Sequence, residues 1–418
     1  MITTTEERSY RSAADDKSAR SQAVPRSTSQ IVLRVIRAAQ PISRVVLAKR
    51  VGVSRGSITG IVNPLIDQGV LREGKPEQPL LVRAGRPPVG LWLRGEGAFF
   101  IGVNIGVRET HVGAETAEGE GLAEERFNTL PDSTLALEKT ARAIEQVCAK
   151  VSNRKLATVG VSMPGPVDSE RSKLLYAPHL GWSDVPVVQI LRDHINSGKR
   201  DTNDIPIVVE NDAIAAAVYE AQRKLRVSTS SSGEDFVLVR AGTGIGVGVV
   251  RGGEVYRGIG IGGLVGEYGH MTIVADGKQC VCGNRGCWER YASSKSAGVL
   301  YAESRPDFKT DEPPRFREVV DSAEAGDKHA KRTLEQIGNY LGIGISNVIS
   351  GLGINTVVVS GRVVYGWRFI AEPLRQAIAR TMVGRLTNWS VEPGSASGGG
   401  LGGAIEVAVE QYLINLAK

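Results

Sequence analysis

The chain is short of aromatic residues and cysteine, and each shortage removes a class of answers. Phe, Trp and Tyr make up 5% of the 418 residues, so the interior has to be closed by aliphatic side chains and close backbone contacts. Four cysteines are too few for a disulfide-stapled scaffold. No apolar run reaches the roughly eighteen residues that a membrane-spanning helix needs. The opening stretch, MITTTEERSYRSAADDKSARSQ, lacks the apolar core of a secretory signal, and a cytoplasmic location is expected. Glycine, by contrast, is abundant: 50 residues without a period of three, the mark of tight turns and close approaches rather than collagen. With 41% hydrophobic and 23% charged residues, the chain can build two or three cored domains.

Charge is unevenly divided. Residues 31–98 hold eleven Lys or Arg against four Asp or Glu, a net of +7; residues 1–30 add +1, and the whole-chain +6 leaves −2 for residues 99–418. A basic head on a mildly acidic body points to a polyanionic partner for the head alone, although charge by itself also describes a solvated basic face.

Residues 1–27 are polar and aperiodic and read as a disordered tail. Residues 28–95 then read as an all-α winged helix-turn-helix domain. Ile31, Val32, Val35 and Ile36 make one apolar stripe, and Ser43 caps a short helix that turns Leu47, Ala48 and Val51 inward. Gly52 supplies the turn. Ser54 caps the next helix, with Ser57 at its third position, and Ile58, Ile61, Val62, Leu65 and Ile66 repeat at helical spacing until Gly69. Two apolar runs, Leu80-Leu81-Val82 and Gly90-Leu91-Trp92-Leu93, flank a basic, proline-stiffened loop like a β-wing. One helix can thereby lie in the major groove of a double-stranded DNA operator, presenting Ser54, Arg55, Ser57, Thr59 and Asn63, while Arg83 and Arg86 of the wing reach the backbone or minor groove. Gly56 and Gly60 each cost about 1 kcal/mol of helix propensity, which close approach to DNA would explain. The competing reading is a small helical docking domain.

The body alternates strands and helices, predicting α/β architecture: strands at Phe99–Val103, Ala157–Met163, Ile205–Glu210 and Thr356–Val359, a helix at Ala213–Gln222, a Gly-rich hairpin at Phe236–Val250, helices around 329–350 and 369–383, and a last helix at Ala404–Leu416. The segments FFIGVNIG and FVLVRAGTGIGVGV look alike and suggest an internal duplication. Cys148 sits in a helical pattern and reads as a small buried hydrophobe. Cys280, Cys282 and Cys287 are clustered, and with His270 they make a Cys3His set, which suits a closed, structural Zn2+ site. Three reduced buried cysteines, with His270 a satisfied core residue, is the alternative.

These segments, together with Val161-Ser162-Met163-Pro164-Gly165-Pro166-Val167-Asp168 and Glu210-Asn211-Asp212-Ala213, resemble the ROK family of repressors, open reading frames and sugar kinases, from about residue 28 onward. The run GEYGH…CVCGNRGCWE is the most selective part, and the AGRPP segment resembles the repressor branch. The resemblance implies an actin-like, ribonuclease-H-like duplicated sugar-kinase fold. Its lobes would span 96–212, with a helix at 401–418 packing back, and 213–400, with the zinc site. It also implies a sugar site at Asn211, Asp212, Glu267, His270 and Glu289, with Asp212 the general base of any phosphoryl transfer and His270 shared between zinc and sugar. Read without the resemblance, Asp212 is equally a helix N-cap. His179 stands near the expected pocket where the family has Asn.

The phosphate loops depart from the family pattern. Asn104 replaces the Asp expected near Mg2+, Val107 and Arg108 after Gly106 replace the small residues that let backbone N–H groups approach phosphate, and Glu109 puts negative charge where a cation would help. The second hairpin, Gly242-Thr243-Gly244-Ile245-Gly246, is intact, whereas Val359-Ser360-Gly361-Arg362 has lost glycines. The Mg-ATP site is therefore degenerate. The expected function is a sugar-responsive DNA-binding regulator, dimeric or tetrameric, with a sugar or sugar phosphate as effector. An active ATP-dependent sugar kinase is the alternative, and a ligand-free docking protein the third.

Overall fold

The computed structural model describes residues 28–75, 89–94, 97–151, 154–195, 205–227, 235–258, 265–305, 312–397 and 399–416. Arg83, Arg86 and the Leu80-Leu81-Val82 run lie outside the described residues. The head comprises helices Thr28–Ala39, Arg44–Val51 and Arg55–Asp67 and a small sheet in which Gly90–Leu93 lies between Ile42–Ser43 and Leu71–Gly74. Local chemistry sets its boundaries. Ser43 accepts the Val46 amide at 3.3 Å, and Gly52, at φ 74°, closes that helix through Ala48. Ser54 accepts the Ser57 amide at 3.0 Å. The strand partner of Gly90–Leu93 is Leu71–Gly74, in antiparallel register with Leu71 opposite Leu93. The mixed LREG strand carries little apolar signal, so the sequence points to the louder Leu80-Leu81-Val82 triplet and does not announce this pairing.

The body holds two five-stranded sheets of identical order. The first runs Ile207–Asn211, Lys155–Met163, Ala98–Ile105, Glu109–Thr116, Gly121–Asn128; the second runs Ser390–Pro393, Thr356–Ser360, Phe236–Ala241, Ile245–Arg251, Glu254–Tyr256. In each, an antiparallel meander of the first three strands is followed by two parallel strands. The repeated topology is the duplication that two similar glycine-turn segments suggested.

Glycine row and helix seat are one feature. Gly102 pairs with Gly113 on one side and with Gly160 on the other, so three neighbouring strands lack side chains at one level. Helix Leu401–Leu416 lies in that trough: a Cβ on Gly160 would come 2.2 Å from the Ala404 carbonyl, and one on Gly102 2.8 Å from the Ile405 amide. On the second sheet Gly246 and Gly248 receive Ala213 and Ala217 of helix Asp212–Val227 in the same way. Scarce aromatics are thus replaced by backbone contact.

The head is fused to the body through a common core. Val32, Leu33, Ile36, Leu47, Ile58 and Val62 belong to one cluster with Phe100 of the first sheet and Ile405, Ala408 and Leu413 of the last helix. Arg37, 2% exposed, donates to Glu115 at 2.7 Å, Glu406 at 3.1 Å and the Ala117 carbonyl at 2.7 Å. A charge so buried is tolerable only with partners on several sides, and here they come from both the first sheet and the last helix. Cys148 is buried, as its helical setting predicted. No helix of the described residues is long and apolar enough to cross a membrane.

Candidate functional site

The end of strand Ile207–Asn211 delivers Asn211 and Asp212 to the space between the sheets. Asn211 Oδ1 accepts the amides of Ala213 (2.8 Å) and Ile214 (3.2 Å), while its Nδ2 donates to the Gly165 carbonyl at 3.0 Å. Asn211 is therefore the cap, which corrects the capping alternative for Asp212. Asp212 is instead the first residue of helix Asp212–Val227, free to use its carboxylate elsewhere. It accepts from Arg240 Nη1 at 2.6 Å. Arg240 escaped the sequence reading, although a lone charge in the apolar strand Phe236–Ala241 was a signal that could have found it.

Opposite Asp212 lies the signature segment. A short 3-10 helix, Glu267–His270, is preceded by Gly266 at φ 106°, and a Cβ there would come 2.2 Å from the Val247 carbonyl. Only glycine fits both demands. Glu289 opens helix Glu289–Ala292 directly after Trp288, which is buried with its indole N–H on the Tyr340 carbonyl at 2.8 Å. Glu289 Oε2 lies 3.5 Å from His179 Nε2, so the residue standing where Asn was expected does reach the site. Burial works against the Glu289 charge, but His179 and His270 beside it hold the carboxyl below its ordinary value. Glu267 goes the other way: burial, with Asp212 and Glu289 adding repulsion, raises it to about 7. Carboxylates and imidazoles thus gather at one place, with Glu289 3.5 Å from His179 and 3.9 Å from His270, and side chains of these kinds can both accept from and donate to hydroxyls.

The two hairpins contribute differently. Gly244 lies under Glu289, where a Cβ would stand 2.4 Å from Oε2 and 3.4 Å from His179 Nε2. Gly242 closes its turn by donating to the Gly244 carbonyl at 2.9 Å, and Ser294 Oγ donates to the Gly242 carbonyl at 2.6 Å; Thr243 sits between them. In the first hairpin Gly106 donates to the Glu109 carbonyl at 2.9 Å, so Val107 and Arg108 form a tight two-residue tip. Asn104 pairs with Ser162 in the sheet.

The donor atoms of His270, Cys280, Cys282 and Cys287 all lie within 4.8 Å of one another. Cys280 Sγ is 3.7 Å from His270 Nδ1, and Cys282 Sγ is 3.7 Å from Cys287 Sγ. Donors ~2.0–2.3 Å from one tetrahedral cation stand about 3.5–3.8 Å apart, so these four fit a single zinc-sized ion. His270 Nε2 faces the other way, 3.7 Å from Glu267. Without a cation, burial pushes the Cys287 thiol up to about 11.

A further group missed in the sequence is Glu210, 1% exposed, one residue before the site. Its Oε2 pairs with Arg257 of the second lobe (2.7 Å) and Arg171 of the first (3.2 Å), and Arg257 also pairs with Glu410 of the last helix (2.5 Å). The Ser54, Arg55, Ser57, Thr59 and Asn63 side of helix Arg55–Asp67 is exposed, with Asn63 Oδ1 accepting from Arg44 at 2.9 Å and Thr59 bonded to the Arg55 carbonyl at 3.0 Å.

A duplicated α/β body with carboxylates and imidazoles gathered between its sheets, carrying a winged module on its first lobe, is the build of a sugar-kinase-like regulator. The ROK family model matches residues 100–410, and the chain belongs to the ROK family. It is 25% identical over 371 residues to the xylose repressor of Bacillus subtilis, covering 87% of this chain and 90% of that protein. It is 27% identical over 302 residues to the glucokinase of Streptomyces coelicolor, covering 69% of this chain and 89% of that one. The crystal structure of a ROK family transcriptional regulator, homolog of the E. coli MLC protein, superposes with a TM-score of 0.70 at 25% identity, over 92% of this chain and 96% of that chain. The regulator matches cover 87% and 92% of this chain and the glucokinase match 69%, so the regulators share more of its length.

Proposed function

We propose that this chain is a cytoplasmic sugar-responsive transcriptional repressor that binds a double-stranded DNA operator through its head and an effector sugar between its lobes. The observation that carries the reading is one continuous element. Helix Asp212–Val227, 16 residues and so about 24 Å long, starts in the pocket and ends under the head. At its far end Gln222 Nε2 donates to the Arg34 carbonyl at 3.3 Å, and the Leu225 carbonyl accepts from Arg50 at 3.1 Å. A ligand that prefers one setting of Asp212 therefore biases the placement of helices Thr28–Ala39 and Arg44–Val51. A coupling of ~1–3 kcal/mol is enough for regulation.

The sugar would be held by Asp212, Glu267, His179 and Glu289, with Asn211 positioning Asp212. His270 would give Nδ1 to a structural Zn2+ completed by Cys280, Cys282 and Cys287, and Nε2 to the ligand. The zinc would supply a fixed cross-link and no open coordination position. In the head, Arg55, Ser57 and Asn63 would meet base edges or phosphates, with Arg83 and Arg86 added from the wing. Gly56 and Gly60 support close approach to DNA. A Cβ on Gly60 would touch nothing within 4 Å, so no neighbour among the described residues asks for glycine there. A homodimer or homotetramer reading a palindrome fits such a head.

The second reading, a sugar kinase, is favoured by the intact Gly242-Thr243-Gly244 turn, but Asp212 is committed to Arg240 and the first hairpin is closed by Val107 and Arg108. Selection of genomic fragments by the purified chain, followed by titration with sugars, tests the first reading. Expected are a preferred fragment and its release by one sugar or sugar phosphate. Equal affinity for all fragments would sink it. Gly60→Ala should stabilise the helix by about 0.5–1 kcal/mol and yet weaken operator binding.

A further inference from the structure

Strand Ile207–Asn211 sends successive side chains to opposite faces. Asn211 caps helix Asp212–Val227 from one, and Glu210, 1% exposed, lies with Val208 on the other, under helix Leu401–Leu416. A carboxylate so buried needs cationic partners, and it has one from each lobe: Arg257 Nε at 2.7 Å and Arg171 Nη2 at 3.2 Å. Arg257 turns Nη2 to Glu410 at 2.5 Å, and Arg171 Nη1 lies 3.4 Å from Gln411 Oε1. First lobe, second lobe and last helix thus meet at Glu210. Burial works against the Arg257 charge, but Glu410 and Glu210 outweigh it and hold its pKa above the ordinary value.

Two further observations single this cluster out. Arg171 stands at φ 56°, in the left-handed region that side chains seldom adopt. Asp168 braces that turn by accepting the amides of Ser172 (2.7 Å) and Lys173 (3.0 Å), and the Arg171 carbonyl accepts from the Val209 amide at 2.8 Å. Such a backbone persists only where its surroundings hold it. Arg257, for its part, ends a strand that runs to the head. Strand Glu254–Tyr256 is an edge of the second sheet and packs Val255 against Val218 and Val407 of helices Asp212–Val227 and Leu401–Leu416. At its other end the Gly253 carbonyl accepts from Arg34 Nη1 of helix Thr28–Ala39 at 2.5 Å. From Gly253 to Arg257 is about 13 Å of extended chain.

Moving the lobes by pulling this cluster apart would leave Glu210 buried without a partner, which is costly; turning them about it would not. We propose that Glu210, held by Arg171 and Arg257, is the fixed point about which the second lobe turns on the first, and that strand Glu254–Tyr256 carries the turn from Arg257 to the head at Arg34. This rests on the regulator reading above and adds a route beside helix Asp212–Val227. The head shares its core with Phe100 of the first lobe, so a rotation of about 5° at Arg257 shifts the Gly253 turn by roughly 1 Å against helix Thr28–Ala39. Arg257 and Glu410 are then positioning residues that touch neither sugar nor DNA.

The test is operator binding by the zinc-loaded full-length chain, followed by fluorescence anisotropy with and without glucose, mannose, xylose, N-acetylglucosamine and a phosphomonoester of each. The readout is the factor by which the effective compound shifts operator affinity. Arg257→Met with Glu410→Gln removes one charge of each sign, so Arg171 and Glu210 still pair. Calorimetric affinity for that compound, and operator affinity without it, should stay within about threefold, while the coupling factor falls about fivefold or more. Arg34→Met cuts the far end of the strand and should lower the factor likewise, and all three substitutions together should do no more than either set alone. Additive losses, or a factor that survives in the paired variant, overturn the inference and leave the regulator reading standing, with helix Asp212–Val227 as the route. If the paired variant melts early, Arg257→Lys keeps the charge and loses the two-pronged reach; the same fall is expected, and an unchanged factor overturns the inference. A wild-type chain whose operator binding none of these compounds shifts overturns both.

Discussion

The two glycine-turn hairpins occupy the same place in two copies of one topology, and they have diverged to opposite ends. The second keeps Gly244 under Glu289, with no room for a Cβ, and Ser294 bolts the turn in place. The first has traded small residues for Val107 and Arg108 and is closed by its own backbone. On the reading proposed above, one half of the duplicated scaffold would hold the sugar while the other lacks the small residues of a phosphate loop.

Removing a metal ligand should do the most damage, because the Cys3His set exists only in the second copy. Cys287→Ser is expected to lower bound zinc from about one per chain to a small fraction, with loss of the cooperative transition of the second lobe; zinc analysis and calorimetric melting check this. If the variant keeps its metal, the four-ligand reading is wrong. Next comes the first copy's helix seat. Gly160→Val forces a side chain into the Ala404 backbone and should cost about 3 kcal/mol or more, read by urea unfolding, against less than about 0.5 kcal/mol for Arg108→Gly at the exposed hairpin tip. The finest test addresses the turns themselves. Gly244→Ala should weaken effector binding about tenfold or more by displacing Glu289, whereas Val107→Gly should leave it within about twofold. Equal losses from the two would erase the functional difference between the hairpins.

Local rules were the legible part of this chain. Ser43, Gly52 and Ser54 act over three or four residues, so their capping roles can be read from the string and recur in the structure. The CVCGNRGC spacing likewise brings three sulfurs together, and the fourth donor, His270, lies ten residues before Cys280. Relations set by the tertiary fold were not legible. Asp212 and Arg240 are 28 residues apart, and Arg257 and Glu410 are 153 apart; no periodicity announces either pair. The wing register depended on a non-local pairing that the LREG strand hardly advertises. The glycine row was visible only as an excess of glycine, since three residues on three strands become a trough only once the sheet aligns them.

That trough has a consequence for the order in which the molecule comes into being. The head is made before helix Leu401–Leu416, yet that helix supplies part of its floor through Ile405, Ala408 and Leu413. Until helix Leu401–Leu416 drops into its groove, the head has neither its full apolar support nor Glu406 for Arg37. On the proposed reading, the closing helix of the sensor is thus also a prop of the operator-binding head.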